Sequence, residues 1–405
     1  MGGRIIIVGG GQAGAQGAAS LRQAGFAGEI VMFGAERELP YQRPPLSKAY
    51  LQGDLAADRL HLRPAAFYEQ QKIDFRPGAR VARIDPAAKI VVTEAGEEFA
   101  YEKLLLATGA PPRRIDCPGA DLPGVHYLRT IADSDALRPA LAAGGRLVIV
   151  GAGYIGLEVA ASARKAGLDV TVLEMADRVL ARVAGKEISS FFETLHRAHG
   201  VDLRLGAALK AFEGTGRVEA AVLETGEIIP CRAVLIGVGA RPSTRLAEDA
   251  GLTLANGVWT DEHARTSDPS IYAAGDCASH PSPIYGRRMR LESVPNAIEQ
   301  AKVAGTNMAG GEAVYDAVPW FWSDQYDVKL QTVGVSEGGD RTVVRGDVGA
   351  RTFSVWYLKA GRLLAVDAVN DPAAFAASKK LVAAKAAPDA KKLADLETDL
   401  KSLVP

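Results

Sequence analysis

Cysteine is scarce in this chain of 405 residues. The three present, Cys117, Cys231 and Cys277, lie far apart, with no CxxC or CxxxxC pair. That excludes a disulfide framework and a cysteine-held metal site, and it suits a reducing cytosol. Net charge is scarce too. The 47 Lys and Arg nearly balance the 48 Asp and Glu, which argues against a general nucleic-acid binder. No apolar run nears the roughly 18–20 residues of a membrane-spanning helix. The first residues form a short apolar run that passes at once into glycines, so the start reads as neither signal nor transit peptide. The chain is 48% apolar and 23% charged, ordinary for a soluble globular protein with room for two or three domains.

What the chain does contain is a duplication. Arg4 to Gly14 (RIIIVGGGQAG) returns as Arg146 to Gly156 (RLVIVGAGYIG), and the match runs on through Arg22 with Arg164 and Gly25 with Gly167. Each copy reads as an apolar strand buried on both faces, a glycine turn and a helix lined with small residues. The glycines are Gly9, Gly11 and Gly14 in copy one, and Gly151, Gly153 and Gly156 in copy two. A lone GxGxxG is weak, but strand before and helix after make it a dinucleotide fingerprint. The first glycine makes the turn, the second admits the pyrophosphate, and the third lets helix and strand lie close. Ala13 and Ile155 occupy the variable slots of the two turns. Two copies imply two dinucleotides, and hydride transfer is the chemistry expected between them.

A second duplication pairs Leu104 to Pro112 with Val234 to Pro242, each an apolar strand ending in a glycine turn and a proline. These prolines make plausible crossing points between domains. After about residue 319 alternating stretches (Lys329 to Val335, Thr352 to Leu358, Leu363 to Val369) predict a small antiparallel sheet. The Lys- and Ala-rich end, residues 376–401, reads as helix.

The copies differ at the end of the second strand, where an acid would accept the adenosine ribose hydroxyls. Copy two has Glu174, which favours NADH over NADPH; Arg178 and Arg182 nearby would instead suit a 2′-phosphate. Copy one has Gly34, so Glu36 or backbone groups must serve there. A carboxylate at the end of a later strand, Asp276 in Ala274-Gly275-Asp276, suits a ribitol hydroxyl, which FAD has and NAD lacks. That points to a flavin as one of the two dinucleotides.

The paired fingerprints, the Ala107-Thr108-Gly109 turn and the Ala274-Gly275-Asp276 strand resemble the two-dinucleotide flavoprotein disulfide reductases. That superfamily's disulfide members need an early cysteine pair, and its peroxidases and oxidases need one cysteine in the segment that here reads Tyr41 to Lys48. This chain has neither. Electrons must then pass directly to an external acceptor. Pro40 to Lys48, Gly153 to Glu158, Glu292 to Asn296 and Trp320 to Gln325 are similar to NADH-dependent ferredoxin reductases, which feed 2Fe–2S ferredoxins in bacterial oxygenase systems. The resemblance covers essentially the whole chain.

It implies an α/β fold: two Rossmann-like three-layer domains, for FAD (residues 1–112 and 243–319) and NAD (residues 113–242), then a C-terminal α+β interface domain (residues 320–405). It puts Arg43 and Lys48 at the flavin, Lys48 near N5, with Glu158 as its partner. Val81, Ala107, Thr108, Gly109, Val294 and Trp322 join the FAD contacts. Arg182, Gly239 and Glu292 join the NAD contacts. Tyr154 reads as a gate over the flavin or as packing. The expected partners are NADH as donor and an acidic 2Fe–2S ferredoxin as acceptor, docking on a basic patch drawn from Arg287, Arg288, Arg290, Lys329, Lys379 and Lys380. The protein is expected to be a monomer. Rival readings are a rubredoxin reductase, an NADH oxidase, or an NADH-sensing flavoprotein of the apoptosis-inducing-factor type.

Overall fold

The apolar run that opens each repeat forms the middle strand of a five-stranded parallel sheet. The computed structural model describes residues 3–404. In one sheet the order is Ile271–Ala273, Lys103–Leu106, Arg4–Val8, Glu29–Phe33, Ile73–Arg76. In the other it is Val125–His126, Ala233–Ile236, Arg146–Val150, Asp169–Glu174, Val201–Leu205. The second duplication thus has a topological meaning, because each copy lays its later strand alongside its fingerprint strand in parallel register.

Alternate residues of the first strand feed two cores. Ile5 and Ile7 pack with Ala18, Leu21 and Ala301 of helices, whereas Ile6 and Val8 pack with Val81, Ile84 and Val91. The latter belong to a three-stranded antiparallel sheet (Val81–Asp85, Ile90–Thr93, Glu98–Ala100) that makes the third layer. Copy two repeats this with Leu209–Glu213, Ala220–Leu223 and Ile228–Pro230, against which Val148 and Val150 pack. Burial of each large apolar side chain contributes about 1.5–3 kcal/mol, so all-apolar central strands anchor both sandwiches.

The repeated arginines also do one job twice. Arg22 Nε donates to Gln71 O (2.7 Å) and Nη1 to Phe26 O (2.6 Å). Arg164 Nε donates to His199 O (2.8 Å) and Nη1 to Leu168 O. Each ties the end of its fingerprint helix (Gln12–Gln23, Tyr154–Lys165) to the approach of the third strand. Gly25 and Gly167 follow these helices with φ of +83° and +84°, the left-handed ending expected of them.

Contacts divide the chain into two units. The first comprises the chain up to Gln42, Leu60–Pro111 and Arg241–Pro319; the second comprises Arg43–Arg59, Pro112–Ala240 and the chain from Trp320 onward. The short stretch around Lys48 therefore folds with the second fingerprint. The end of the second unit is a five-stranded antiparallel sheet in the order Trp320–Gln325, Val328–Gly334, Arg362–Val369, Thr352–Lys359, Arg341–Asp347. Arg341–Asp347 escapes sequence reading because its inward positions are Val343 and Arg345, one apolar and one charged.

The tail is not one helix over residues 376–401. It runs as Pro372–Ala383, Ala390–Ala394 and a single 3₁₀ turn, Leu400–Leu403. Asp371, Asp389 and Asp399 each start a piece by accepting a backbone N–H, and Pro388 precludes continuity. Arg345 holds the tail by donating to the carbonyls of Leu393, Asp395, Leu396 and Thr398. No helix among the described residues is long and apolar enough to cross a membrane.

Candidate active site

The two glycine turns are the same object built twice. At Gly9, φ is +128°, and an added Cβ would lie 2.1 Å from Ala107 O. At Gly151, φ is +103°, and a Cβ would lie 2.5 Å from Gly237 O. A Cβ on Gly14 or Gly156 would strike the carbonyl of Gly9 or Gly151, at 1.9 and 2.1 Å. The middle glycines differ from these. A Cβ on Gly11 or Gly153 meets nothing within 4 Å. No protein atom requires glycine there, so the open face in front of each helix N-terminus fits a pyrophosphate.

Asp276 belongs to copy one. Its neighbour Gly275 comes so close to the first helix that a Cβ would stand 3.0 Å from Ala13 Cβ, and Gly275 N donates to Gln300 Oε1. Thr108 and Gly109 close the adjoining turn through Thr108 Oγ1 to Ser243 O (2.8 Å) and Ser243 N to Gly109 O (2.9 Å). Val81 is buried at the head of its strand, and Val294 opens the helix Val294–Met308 behind an N-cap Ser293. Glu292 lies in this first unit as well. It pairs with Arg290 at 2.6 Å, and Arg290 donates to Asp276 O at 3.0 Å.

Gly34 has a steric reason. A Cβ there would meet the Phe75 ring at 2.9 Å, so copy one has no room for the acid of copy two. Glu36 instead accepts from the Tyr41 hydroxyl. In copy two the Glu174 carboxylate accepts from Ala152 N (2.8 Å) and Ala176 N (2.9 Å), which fixes it beside the glycine turn. Arg178 donates to Ala181 O, Ala184 O and Ser189 Oγ, so most of its N–H groups are already engaged within the protein. Arg182 is exposed, with its guanidinium about 3.3 Å from where a Cβ on Gly239 would sit.

Lys48 and Glu158 form an ion pair of 2.6 Å. Glu158 is buried, and both its oxygens are engaged. Oε2 takes Lys48 and Ser47 (2.5 Å), and Oε1 takes Ser323 (2.7 Å). Lys48 also donates to Pro44 O at 3.1 Å, and Arg43 to Arg129 O at 2.6 Å. Ser47 and Ser323 lay inside the quoted motifs but had no signal of their own; only the fold shows that both serve one carboxylate.

Tyr154 stands one residue past the N-cap of its helix, with its ring 4.5 Å from that of Phe321. Its hydroxyl faces Thr332, and burial pushes its pKa up. Thr332 donates to Asp367, which also accepts from Tyr357. Asp367 is buried, and desolvation raises its carboxyl to about 6. Trp322 lies in the same strand as Phe321, its ring 5.6 Å from Trp320. Ile155 is exposed beside the turn.

The basic candidates fare unequally. Arg288 is consumed by Thr260 O and Ser279 O, and Arg290 by Glu292 and Asp276 O. Lys379 rests over the rings of Trp320 and Phe375 at 4.1 and 4.3 Å. Arg287, Lys329 and Lys380 are exposed. All three cysteines are free thiols, and Cys277, the one next to Asp276, is fully buried with its pKa raised by desolvation.

Twin parallel sheets with twin phosphate-facing turns define a two-dinucleotide oxidoreductase. Residues 3–301 match the family described as pyridine nucleotide-disulphide oxidoreductase, and residues 320–404 match the reductase C-terminal family. The ferredoxin reductase subunit of 5,5'-dehydrodivanillate O-demethylase from Sphingobium sp. is 48% identical over 98% of this chain and 97% of its own. Rhodocoxin reductase of Rhodococcus erythropolis is 44% identical over 98% and 93%. The crystal structure of the covalent putidaredoxin reductase–putidaredoxin complex superposes with a TM-score of 0.97 at 42% identity, covering 99% of this chain and 98% of that one. The chain belongs to the pyridine nucleotide-disulphide oxidoreductase family, among its ferredoxin reductases.

Proposed function

We propose that this chain is an FAD-dependent NADH:ferredoxin oxidoreductase that serves an oxygenase system through a 2Fe–2S ferredoxin. The observation that carries this reading is the twin turn, open in front of both helix N-termini, in a protein whose thiols are unpaired. FAD, when bound, supplies the exchange between a two-electron donor and a one-electron acceptor. Everything else falls to the protein's own groups.

Gly9, Gly11, Gly14 and Asp276 hold FAD, together with Ala107, Thr108, Gly109, Val81 and Val294. Gly151, Gly153, Gly156, Glu174, Arg182 and Gly239 hold NADH. Glu174 selects the unphosphorylated ribose, since it already aims its carboxylate at the turn and most Arg178 donors are held by Ala181, Ala184 and Ser189. Lys48 presents a positive charge to the flavin, and Glu158 fixes that charge in place through a 2.6 Å contact. Tyr154 gates the nicotinamide face, and Trp322 shields the flavin edge. FAD thus occupies residues 1–112 and 243–319, NADH residues 113–242, and the end of the chain forms an interface domain for the acceptor. The enzyme works as a monomer in the cytoplasm, where NADH is supplied and free thiols stay reduced.

The test is anaerobic titration of the FAD-loaded protein with NADH, followed in the visible, with and without a 2Fe–2S ferredoxin. Bleaching by NADH and rapid catalytic reduction of the ferredoxin are expected. Slow reoxidation with a long-lived charge-transfer band and no ferredoxin turnover would point instead to an NADH-sensing flavoprotein.

A further inference from the structure

His196 is a buried side chain to which the reaction above gives no task. It lies on the helix Lys186–Ala198 and is wholly shielded from solvent. Its Nε2 is 2.8 Å from Gln325 Oε1, and its Nδ1 is 3.1 Å from the Tyr326 hydroxyl. From Gln325 the hydrogen bonds run on. Gln325 Nε2 donates to Ser323 Oγ over 3.2 Å, and Ser323 donates to Glu158 Oε1 over 2.7 Å. Gln325, Ser323 and Glu158 are all buried, so no water competes for these bonds.

The donor inventory fixes the direction of every bond. A carboxylate only accepts, so the single Ser323 proton goes to Glu158. Ser323 must then accept from Gln325, which turns the amide nitrogen toward Ser323 and the carbonyl toward His196. The imidazole therefore carries its proton on Nε2, and Nδ1 accepts from Tyr326. Burial pulls the His196 pKa down to about 4, in keeping with a neutral ring.

We propose that His196 is a positioning residue for Glu158, acting by locking the orientation of the Gln325 amide. The proposal rests on the reading in which the Lys48–Glu158 pair serves flavin reduction. An Nε2–H imidazole tolerates one of the two amide orientations. Without it the amide flips, and Ser323 then faces a carbonyl that competes with Glu158 for its only proton. Glu158 Oε1 loses its donor, and the carboxylate is no longer held square to Lys48.

Stopped-flow reduction of the FAD-loaded protein by NADH tests this, with limiting rate and NADH affinity read separately. His196→Leu should lower the limiting rate about tenfold, the equivalent of one hydrogen bond of ~1.4 kcal/mol, and leave NADH affinity unchanged. His196→Gln, which keeps an N–H donor, should recover most of the loss. In a Glu158→Gln background, His196→Leu should have no further effect. If His196→Leu does not accumulate as a folded flavoprotein, Gln325→Met, of similar volume, breaks the same link and is read in the same way. Nitrogen NMR of the histidines should show the Nε2–H tautomer at His196; an Nδ1–H tautomer overturns the bond direction. A loss of equal size in both backgrounds overturns the proposal and leaves the pair's role standing. A Glu158→Gln variant reduced as fast as the wild type overturns that role itself.

Discussion

Gly153→Ala separates a glycine kept for the ligand from glycines kept for the fold. Gly153 has φ −78° and ψ −177°, which alanine adopts freely, and its Cβ would meet nothing within 4 Å. Removing glycine from the unfolded chain stabilises by about 0.4–1 kcal/mol, and alanine is a poorer N-cap by a similar amount. The two effects offset, so the melting temperature should hardly move. Binding should suffer instead, because the methyl group stands where the pyrophosphate approaches the backbone. A hydrogen bond to a charged group is worth about 1.5–3 kcal/mol, which converts to NADH affinity weakened about tenfold to a hundredfold. Calorimetric titration of the FAD-loaded variant with NAD⁺ and NADH reads this directly, and its visible spectrum reports whether FAD remains. Gly11→Ala should give the mirror image, a folded protein that loses FAD. Gly156→Ala, whose methyl would sit 2.1 Å from Gly151 O, should fail to fold. Wild-type NADH affinity in Gly153→Ala, or loss of FAD from it, would refute the assignment of the copies.

Four further outcomes are expected. Lys48→Ala should slow flavin reduction by NADH by about tenfold or more, and an unchanged rate in stopped flow would remove Lys48 from the mechanism. Asp367 titrates near 6 when folded and near 3.8 when unfolded, so its stabilising contribution is full below about pH 3.8 and is lost as pH rises through 6. Asp367→Asn should therefore gain up to about 3 kcal/mol relative to the wild type between pH 4 and pH 8, measured by denaturant midpoints; a flat or inverted difference contradicts the assignment. Arg164→Met strips donors from His199 O and Leu168 O and should cost about 2–3 kcal/mol in thermal unfolding, as should Arg22→Met in the other unit. Raising salt should lower turnover with ferredoxin but not with ferricyanide, if exposed cations such as Arg287 and Lys380 guide docking.

Both fingerprints were legible in the sequence because part of each pattern answers to local sterics: Gly9 and Gly151 turn with positive φ, and Gly14 and Gly156 lie against the carbonyls of Gly9 and Gly151. Asp276 drew notice as a strand-end carboxylate; in the fold the strand Ile271–Ala273 stops earlier, and Asp276 sits in the turn that follows it. The repeat of Leu104 to Pro112 was visible, but its cause was not; it lies in the carbonyls of Ala107 and Gly237, which crowd Gly9 and Gly151 from strands distant in the chain. Gly34 read as a missing acid, and only the fold reveals the Phe75 ring in the acid's place. The three-stranded sheets that complete each sandwich escaped notice because their strands have three to five residues and weak alternation. The breaks in the tail were written at Pro388 and at Asp371 and Asp389, yet its alanine and lysine content masked them. The Lys48–Glu158 pair was foreseen only through the family resemblance, and the serines around Glu158 could not be read, since Ser323 stands 165 residues further along the chain.

The division into units has a consequence for how the protein is made. Neither unit is a single stretch, because the chain changes unit at residues 42/43, 59/60, 111/112, 240/241 and 319/320. On the ribosome the first unit has all its parts once Pro319 emerges, whereas the second lacks an entire sheet until Val369 has been made. Glu158 leaves the ribosome long before Ser323 and Gln325 exist to enclose it. Later-made residues thus complete the surroundings of a carboxylate laid down 165 residues before Ser323.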